Sequence, residues 1–239
     1  MYIDRPTSNV LVADSYFIAN SGTYGGAVYG SFSTERELRL RNCLVAGNKG
    51  SNGILSFKSA NTSNPSSFCV ENCTVVSNTC ALSVIWPDVW NGSKSYENVH
   101  VLGCAVLGNS IKAFYNDMTD VKYSCYNRAD AGTSDANYAD DSNVIYDSSK
   151  PLFVNAASGD YRPSKGSQLR DQVPLQSWMG DGSKNSVLDM GSGFEVASVG
   201  RYGVTVNRVN AVPRLYGDKA DIGCCEYWQQ SSGLSIFVR

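Results

Sequence analysis

Two arginines, a glutamate and the single histidine of the chain occupy related places in aligned segments. Arg39 and Arg41 alternate along one segment, Glu71 lies in the next, and His100 follows in a third. On neighbouring parallel strands these side chains share one outer face, within ~5–10 Å of one another. A polysaccharide lyase needs a cation to neutralise a uronate carboxylate and a base to remove the adjacent proton. Arg39, Arg41 and His100 are therefore candidate catalytic residues. The alternative is an Arg41–Glu71 ion pair on an ordinary surface.

Other catalytic chemistries are limited by what the sequence contains. With one histidine in the chain, a Ser-His-Asp triad must use His100, and a metal site with several histidine ligands cannot form. Pectinase-type hydrolases need clustered carboxylates. At the equivalent position of successive segments the chain has instead Asp14, Asn42, Asn72 and Gly103. If the protein is an enzyme, the sequence favours a lyase over a hydrolase.

Aromatic residues provide a second kind of candidate site, for binding rather than catalysis. Trp86 and Trp90 flank Pro87 and Asp88, and Tyr96 and Tyr115 lie nearby in the repeat that follows. Exposed aromatic rings stack on sugar rings through their apolar faces. These four are candidate glycan-binding residues, although packing of a loop onto the protein explains them equally well.

The elements that position these residues form a repeat. Residues 10–20, 38–48, 68–78 and 99–109 align without a gap. Positions one, three, six and eight of each segment are mainly apolar, which indicates two short strands with one buried side. Position five is Asp, Asn or Gly, and these residues tolerate a left-handed bend. Two strands joined by a bend and repeated every ~30 residues indicate a solenoid.

A third apolar stretch follows each segment, at residues 26–31, 53–57, 81–86 and 111–115. Three strands per repeat predict an all-β protein, namely a right-handed parallel β-helix of the pectate-lyase-like class. We expect about five coils and a C-terminal capping segment. The fifth coil, around Cys125, breaks the register and is predicted to be irregular.

Stacked coils place equal positions above one another, ~4.8 Å apart. Position eleven then forms a ladder of side-chain amides from Asn20, Asn48, Asn78 and Asn109. Position six forms an interior column from Cys43, Cys73 and Cys104, with Cys125 as a less regular member. Buried cysteine behaves as a small apolar residue. A reduced column is therefore favoured, with Cys69 and Cys80 as better disulfide candidates and the adjacent Cys224 and Cys225 too strained to bond to each other.

Bulk composition narrows the partners. A net charge of -2 with 18% charged residues indicates neither a nucleic acid nor an anionic membrane as partner, and no apolar run is long enough to span a bilayer. Asp135, Asp140 and Asp141 could bind calcium, but their spacing fits no defined loop, so no cofactor is expected. Residues 1–9 carry no signal peptide and no cap for the first coil. We therefore expect either missing N-terminal coils of the same protein or a partner to cover it.

Three regions are predicted: β-helix coils over residues 1–130, an acidic and polar loop or linker over 131–150, and a C-terminal capping segment over 151–239 packed on the last coil. The third region contains PLFVN at 151–155, GDYR at 159–162, GSQLRD at 166–171 and PRLYGDKADIGCCEY at 213–227. Over about residues 150–227 this order of motifs resembles the C-terminal segment of the bacterial secreted β-helix proteins called choice-of-anchor Q domain proteins.

That resemblance implies an exported protein with a β-helix fold, and it implies no single activity. The chain departs from the family pattern at Gln168–Arg170 and at Cys224–Cys225, and it ends without the family's sorting tail. From the residues themselves, a polar network is expected to pin the segment in place through Arg–carboxylate bonding. Its members are Asp171, Arg214, Asp221 and Glu226.

The expected function is binding or scaffolding on extracellular glycans by a secreted or cell-surface protein, of which this chain is the C-terminal portion. The main alternative is a lyase of acidic, uronate-containing polysaccharide. A third alternative is a structural stalk or adhesin element. A lyase needs a cationic groove, a binder needs aromatic and polar surface, and a stalk needs neither.

Overall fold

The computed structural model describes residues 1–59, 66–87, 98–115, 120–128, 141–174, 186–187, 194–200, 203–208, 212–213 and 219–225. These residues are nearly all in strands, turns and bends. Within these ranges, no helix has the length and apolar character needed to cross a membrane.

Seventeen strands belong to the coils and the loop that follows them. In chain order they are β1 Tyr2–Asp4, β2 Val10–Ala13, β3 Tyr16–Ile18, β4 Ser21–Gly22, β5 Gly25–Phe32, β6 Glu37–Arg41, β7 Leu44–Ala46, β8 Lys49–Gly50, β9 Gly53–Ser59, β10 Ser67–Glu71, β11 Thr74–Val76, β12 Ser83–Pro87, β13 Val99–Leu102, β14 Ala105–Leu107, β15 Asp120–Lys122, β16 Cys125–Tyr126 and β17 Val144–Ile145. The C-terminal segment adds β18 Phe153–Asn155, a 3₁₀ helix Ala156–Ser158, β19 Asp160–Pro163, β20 Val173–Pro174, β21 Ser186–Val187, β22 Phe194–Gly200, β23 Gly203–Arg208, β24 Val212–Pro213 and β25 Lys219–Ala220.

Three parallel sheets form the sides of a β-solenoid. The first sheet has the order β1-β5-β9-β12, the second β15-β13-β10-β6-β2, and the third β17-β16-β14-β11-β7-β3. Within each sheet a strand lies beside the equivalent strand of the neighbouring coil, so the predicted parallel β-helix is confirmed. Among the described residues, three consecutive turns have a strand in all three sheets. The expected count of about five coils is therefore approximate.

The bend between the second and third sheets follows the repeat. Position five has a left-handed backbone in every aligned segment, with φ values of 48° at Asp14, 52° at Asn42, 47° at Asn72 and 64° at Gly103. Asn, Asp and Gly occupy this region at the lowest steric cost. The irregular coil has Tyr123 in the same conformation, at φ 52°.

The amide ladder predicted at position eleven is present. Asn78 Oδ1 accepts hydrogen bonds from the backbone N and the Nδ2 of Asn48, both at 2.9 Å. Asn48 Oδ1 accepts the same pair from Asn20, and Asn109 Oδ1 accepts it from Asn78. Asn78 Nδ2 also donates to the carbonyl of Val45 at 2.9 Å. Each amide thus pairs backbone and side-chain groups that the turn would otherwise bury without partners.

The interior cysteine column is also present, and none of the eight cysteines forms a disulfide. The Sγ atoms of Cys43 and Cys73 each donate to the carbonyl two residues earlier, at 3.2 Å. Ser124 takes the next place in the column, because its Oγ accepts from the Cys104 backbone N at 3.0 Å. Cys125 is therefore not a member of it.

The expectation of disulfides at Cys69 and Cys80 is wrong, since both thiols are free and buried. Cys69 lies in β10 between Arg39 and His100 of the neighbouring strands, whereas Cys80 lies outside the strands, in the turn between β11 and β12. The adjacent Cys224 and Cys225 do not form a disulfide with each other, as expected, and their Sγ atoms are 3.6 Å apart.

The C-terminal segment packs along the side of the solenoid as well as near its last coil. Outward apolar residues of the third sheet, from Leu44 in β7 to Cys125 in β16, form one buried cluster with Leu169 and Ile222. Gly223 N donates to the carbonyl of Gly103 at 2.8 Å. This extends the predicted position on the last coil. The physical reason is that apolar side chains on the third sheet point outward over several coils and need cover.

We expect Asn78→Ala to reduce the free energy of unfolding by about 2–4 kcal/mol, because it leaves several buried polar groups unpaired. Asn20→Ala makes the same chemical change at the exposed end of the ladder, and should cost about 1 kcal/mol or less. Urea denaturation of the two variants provides the measurement. Equal losses would show that burial of the ladder contributes nothing beyond ordinary surface hydrogen bonds.

We also expect the native protein to resist alkylation. Burial raises the pKa of the Cys69 and Cys125 thiols to about 12 and that of Cys80 to about 11, so the reactive thiolate is scarce at pH 8. Iodoacetamide followed by mass spectrometry should add few labels to folded protein and eight to protein unfolded in urea without reductant. Fewer than eight labels in urea would contradict the absence of disulfides.

Candidate functional site

The second sheet brings the predicted catalytic candidates onto one face. The register places Arg39 beside Cys69, Cys69 beside His100, and His100 beside Asp120. Two residues further along each strand, the neighbours are Arg41, Glu71, Leu102 and Lys122. The clustering expected from the repeat is therefore observed. We call these residues, with Glu37, the charged face.

Both arginines of the charged face are bonded to carboxylates. Arg41 Nε lies 2.8 Å from Glu71 Oε2, and Arg39 Nη1 lies 2.9 Å from Glu71 Oε1. Arg39 also donates through Nε and Nη2 to the two oxygens of Glu37, each at 2.9 Å. The Arg41–Glu71 pair was anticipated, whereas Glu37 was not. Glu37 lies one residue before the aligned segment, so the repeat gave no sign of it.

Burial and pairing have opposite effects on the two carboxyl groups. The side chain of Glu71 is only 1% exposed. Burial raises its pKa, and the two neighbouring guanidinium groups oppose that rise. The hydrogen bond from Arg39 lowers the pKa of Glu37. Two guanidinium groups thus face two carboxyl groups, which leaves the arginines little capacity to neutralise a uronate.

His100 is also paired with a carboxylate. Its Nδ1 lies 3.4 Å from Asp120 Oδ2, and Lys122 Nζ lies 3.0 Å from Asp120 Oδ1. The half-buried imidazole therefore belongs to a second small ion-pair group at the edge of the charged face. Arg39, Arg41 and His100 are therefore all explained structurally, because each lies beside a carboxylate.

The first sheet aligns aromatic residues on its outer side. Tyr2 pairs with Tyr29, Tyr29 with Ser56, and Ser56 with Trp86. A bridge between Ile85 and Phe114 places Tyr115 next in the same row. Trp86 is only 8% exposed and Tyr115 is half-buried, so neither presents a full ring face. Trp90 and Tyr96 lie outside the described residues.

Three tyrosines at the β1 end of this row, or next to it, were not predicted as site residues. The rings of Tyr2 and Tyr29 are stacked, with centroids 5.6 Å apart and an interplanar angle of 4°. The ring centroids of Tyr24 and Tyr29 are 5.6 Å apart, with an interplanar angle of 40°. Tyr2 is 67% exposed and Tyr24 is 55% exposed. We call these three residues the tyrosine surface. Aligning the third strands, which puts Tyr29 in the column of Trp86, would have located it.

The predicted C-terminal network is described only in part. Asp221 is buried, and its Oδ1 accepts a hydrogen bond from the backbone N of Asp171 at 2.8 Å. The Asp171 side chain is largely exposed. Arg214 and Glu226 lie outside the described residues. Asp221 therefore fixes a backbone turn, which is a structural contact.

Within the described ranges, no group of three or more His, Cys, Asp or Glu side chains is arranged to hold a metal ion. Of the acidic residues considered for calcium, Asp141 is exposed, and Asp135 and Asp140 lie outside those ranges.

Comparisons with protein-family models, with curated proteins and with solved structures find no match for this chain. A proposal for its function therefore rests on the geometry of the solenoid and its faces.

We expect Arg41→Met to destabilise the protein by about 2–4 kcal/mol, because one oxygen of the buried Glu71 loses its charged partner. The double variant Arg41→Met/Glu71→Leu removes both charges and should recover part of that loss. Urea denaturation compares the three proteins. A double variant less stable than the single one would show that the unpaired carboxylate is not the cause.

Proposed function

We propose that this chain binds extracellular glycans through the tyrosine surface, with the solenoid as a rigid scaffold. The observation that carries the proposal is the cluster that the exposed Tyr2 and Tyr24 form with the half-buried Tyr29, beside strands β1 and β5 of the first sheet. A sugar ring presents C–H groups that pack on aromatic faces, and tyrosine hydroxyl groups add hydrogen bonds at the rim.

The fold favours this use of the tyrosines. Parallel strands hold Tyr2 and Tyr29 in fixed register, so the tyrosine surface loses little conformational entropy when a ligand binds. The tyrosine surface also lies on the side of the solenoid rather than at its end. Further coils stacked on β1 would leave this outer side open.

We further propose that the protein is an exported bacterial β-helix protein with a choice-of-anchor Q type C-terminal segment, acting as a secreted or cell-surface protein. The motif order carries this proposal, and the packing gives the motifs a physical role. Leu152 and Phe153 of the first motif, Tyr161 of the second and Ile222 of the last belong to the cluster on the third sheet. The resemblance therefore concerns residues that attach the segment.

A lyase of acidic polysaccharide remains the alternative of a different class, and a structural stalk is the third. The lyase is less favoured because Arg39 and Arg41 are bonded to Glu37 and Glu71. A stalk would use neither the tyrosine surface nor the charged face.

The test is a glycan-array screen of the wild-type chain and the double variant Tyr2→Ala/Tyr24→Ala. We expect the wild type to bind glycans. The variant should bind them at least about tenfold more weakly, because two stacking contacts are lost. The matched control is Leu11→Ala/Ile18→Ala, which removes two exposed apolar side chains from the second and third sheets.

Other outcomes distinguish the alternatives. Equal binding by both double variants would overturn the tyrosine surface as the site. Rising ultraviolet absorbance from an unsaturated product with a uronate-containing hit would identify a lyase. Absence of binding to every glycan would leave the structural stalk.

A further inference from the structure

An open groove of about 610 Å³ lies at the turn between the third and first sheets. Polar side chains from three consecutive coils line it: Ser21, Thr23, Lys49, Ser51 and Thr79. We call it the turn groove.

The coil stacking that builds the sheets also builds this groove. Ser21 in β4 pairs with Lys49 in β8, and Lys49 forms a bridge with Thr79 in the next coil. Thr23 in the wall directly precedes Tyr24 of the tyrosine surface. The turn groove and the tyrosine surface therefore adjoin, and one extended ligand can contact both.

Gly50 forms part of the groove lining. A Cβ atom at this position would collide with the carbonyl oxygen of Gly53, so a side chain is excluded. Glycine is therefore required here by the close approach of the backbone at Gly50 and Gly53.

The charge of the turn groove comes from Lys49. No carboxylate lines the groove, and Lys49 forms no ion pair with any carboxylate in the described part of the chain. The cations of the charged face differ, since Arg39, Arg41 and Lys122 all have acidic partners. An ammonium group among hydroxyl donors attracts an anion.

We propose that the turn groove binds the anionic substituent, a carboxylate or a sulfate ester, of a glycan whose neighbouring sugar rings stack on the tyrosine surface. Lys49 provides the opposite charge, and the hydroxyl groups of Ser21, Thr23 and Thr79 donate hydrogen bonds to it. This inference rests on the proposed glycan binding, and it assigns acidic glycans as the ligand class. It uses a cation different from those of the charged face.

The test compares three probes by isothermal titration calorimetry: polygalacturonate as the carboxylate, dextran sulfate as the sulfate, and neutral dextran. The variant is Lys49→Gln, which removes the charge and retains polarity. The control is Lys165→Gln, the same change at an exposed lysine of the C-terminal segment. We expect Lys49→Gln to weaken binding of the preferred acidic probe about fivefold, as expected for one screened charge contact. Added salt should weaken wild-type binding more than binding by this variant.

Each outcome decides a separate claim. The acidic probe that loses affinity in Lys49→Gln identifies carboxylate or sulfate as the bound group. Equal binding by Lys49→Gln and Lys165→Gln, or no preference over neutral dextran, overturns the anionic site while glycan binding itself stands. Failure of the wild type to bind any of the three probes, together with a silent glycan array, overturns both proposals.

Discussion

The structure depends on hydrogen bonding between equal positions of consecutive coils. Parallel pairing places each residue beside its counterpart one repeat away, so one residue type can be used repeatedly. Asn78 shows the principle, because its amide bonds to the backbone of the preceding coil and to the Asn109 side chain of the following coil. The turn then needs no further polar partner, and apolar residues can fill the interior. The same stacking produces the cysteine column, the charged face and the tyrosine surface.

Most of the solenoid was predictable because its strands alternate with period two and its bends use Asp, Asn or Gly. The residues that were missed lie where this pattern carries no information. Glu37 precedes the aligned segment, although it determines how Arg39 is paired. Tyr2 precedes the first repeat, and the variable turns conceal the alignment of the third strands. The C-terminal segment was predicted to pack on the last coil. Its contacts with earlier coils depend on outward apolar residues such as Leu44 and Val76, about which the repeat carries no information.

The three sides of the solenoid have different environments, and this difference is the basis of the functional proposals. The third side is covered by the C-terminal segment. The second carries charges that are largely compensated, since Glu71 joins two guanidinium groups. The first carries exposed rings at Tyr2 and Tyr24, with Lys49 in the adjoining groove. The proposed glycan site is placed on the first side because exposed aromatic area and the Lys49 ammonium lie together there.

The lateral position of the C-terminal segment has a consequence for how the molecule folds. An open solenoid behaves like a one-dimensional chain of units and can unzip from either end. Here the backbone N of Cys224 donates to Thr74 Oγ1, 150 residues earlier in the sequence. The cluster around Leu169 also joins coils that do not touch one another. Such distant contacts raise contact order and slow folding. The coils should consequently melt as one cooperative unit, whose completion waits for the last part of the chain to be synthesised.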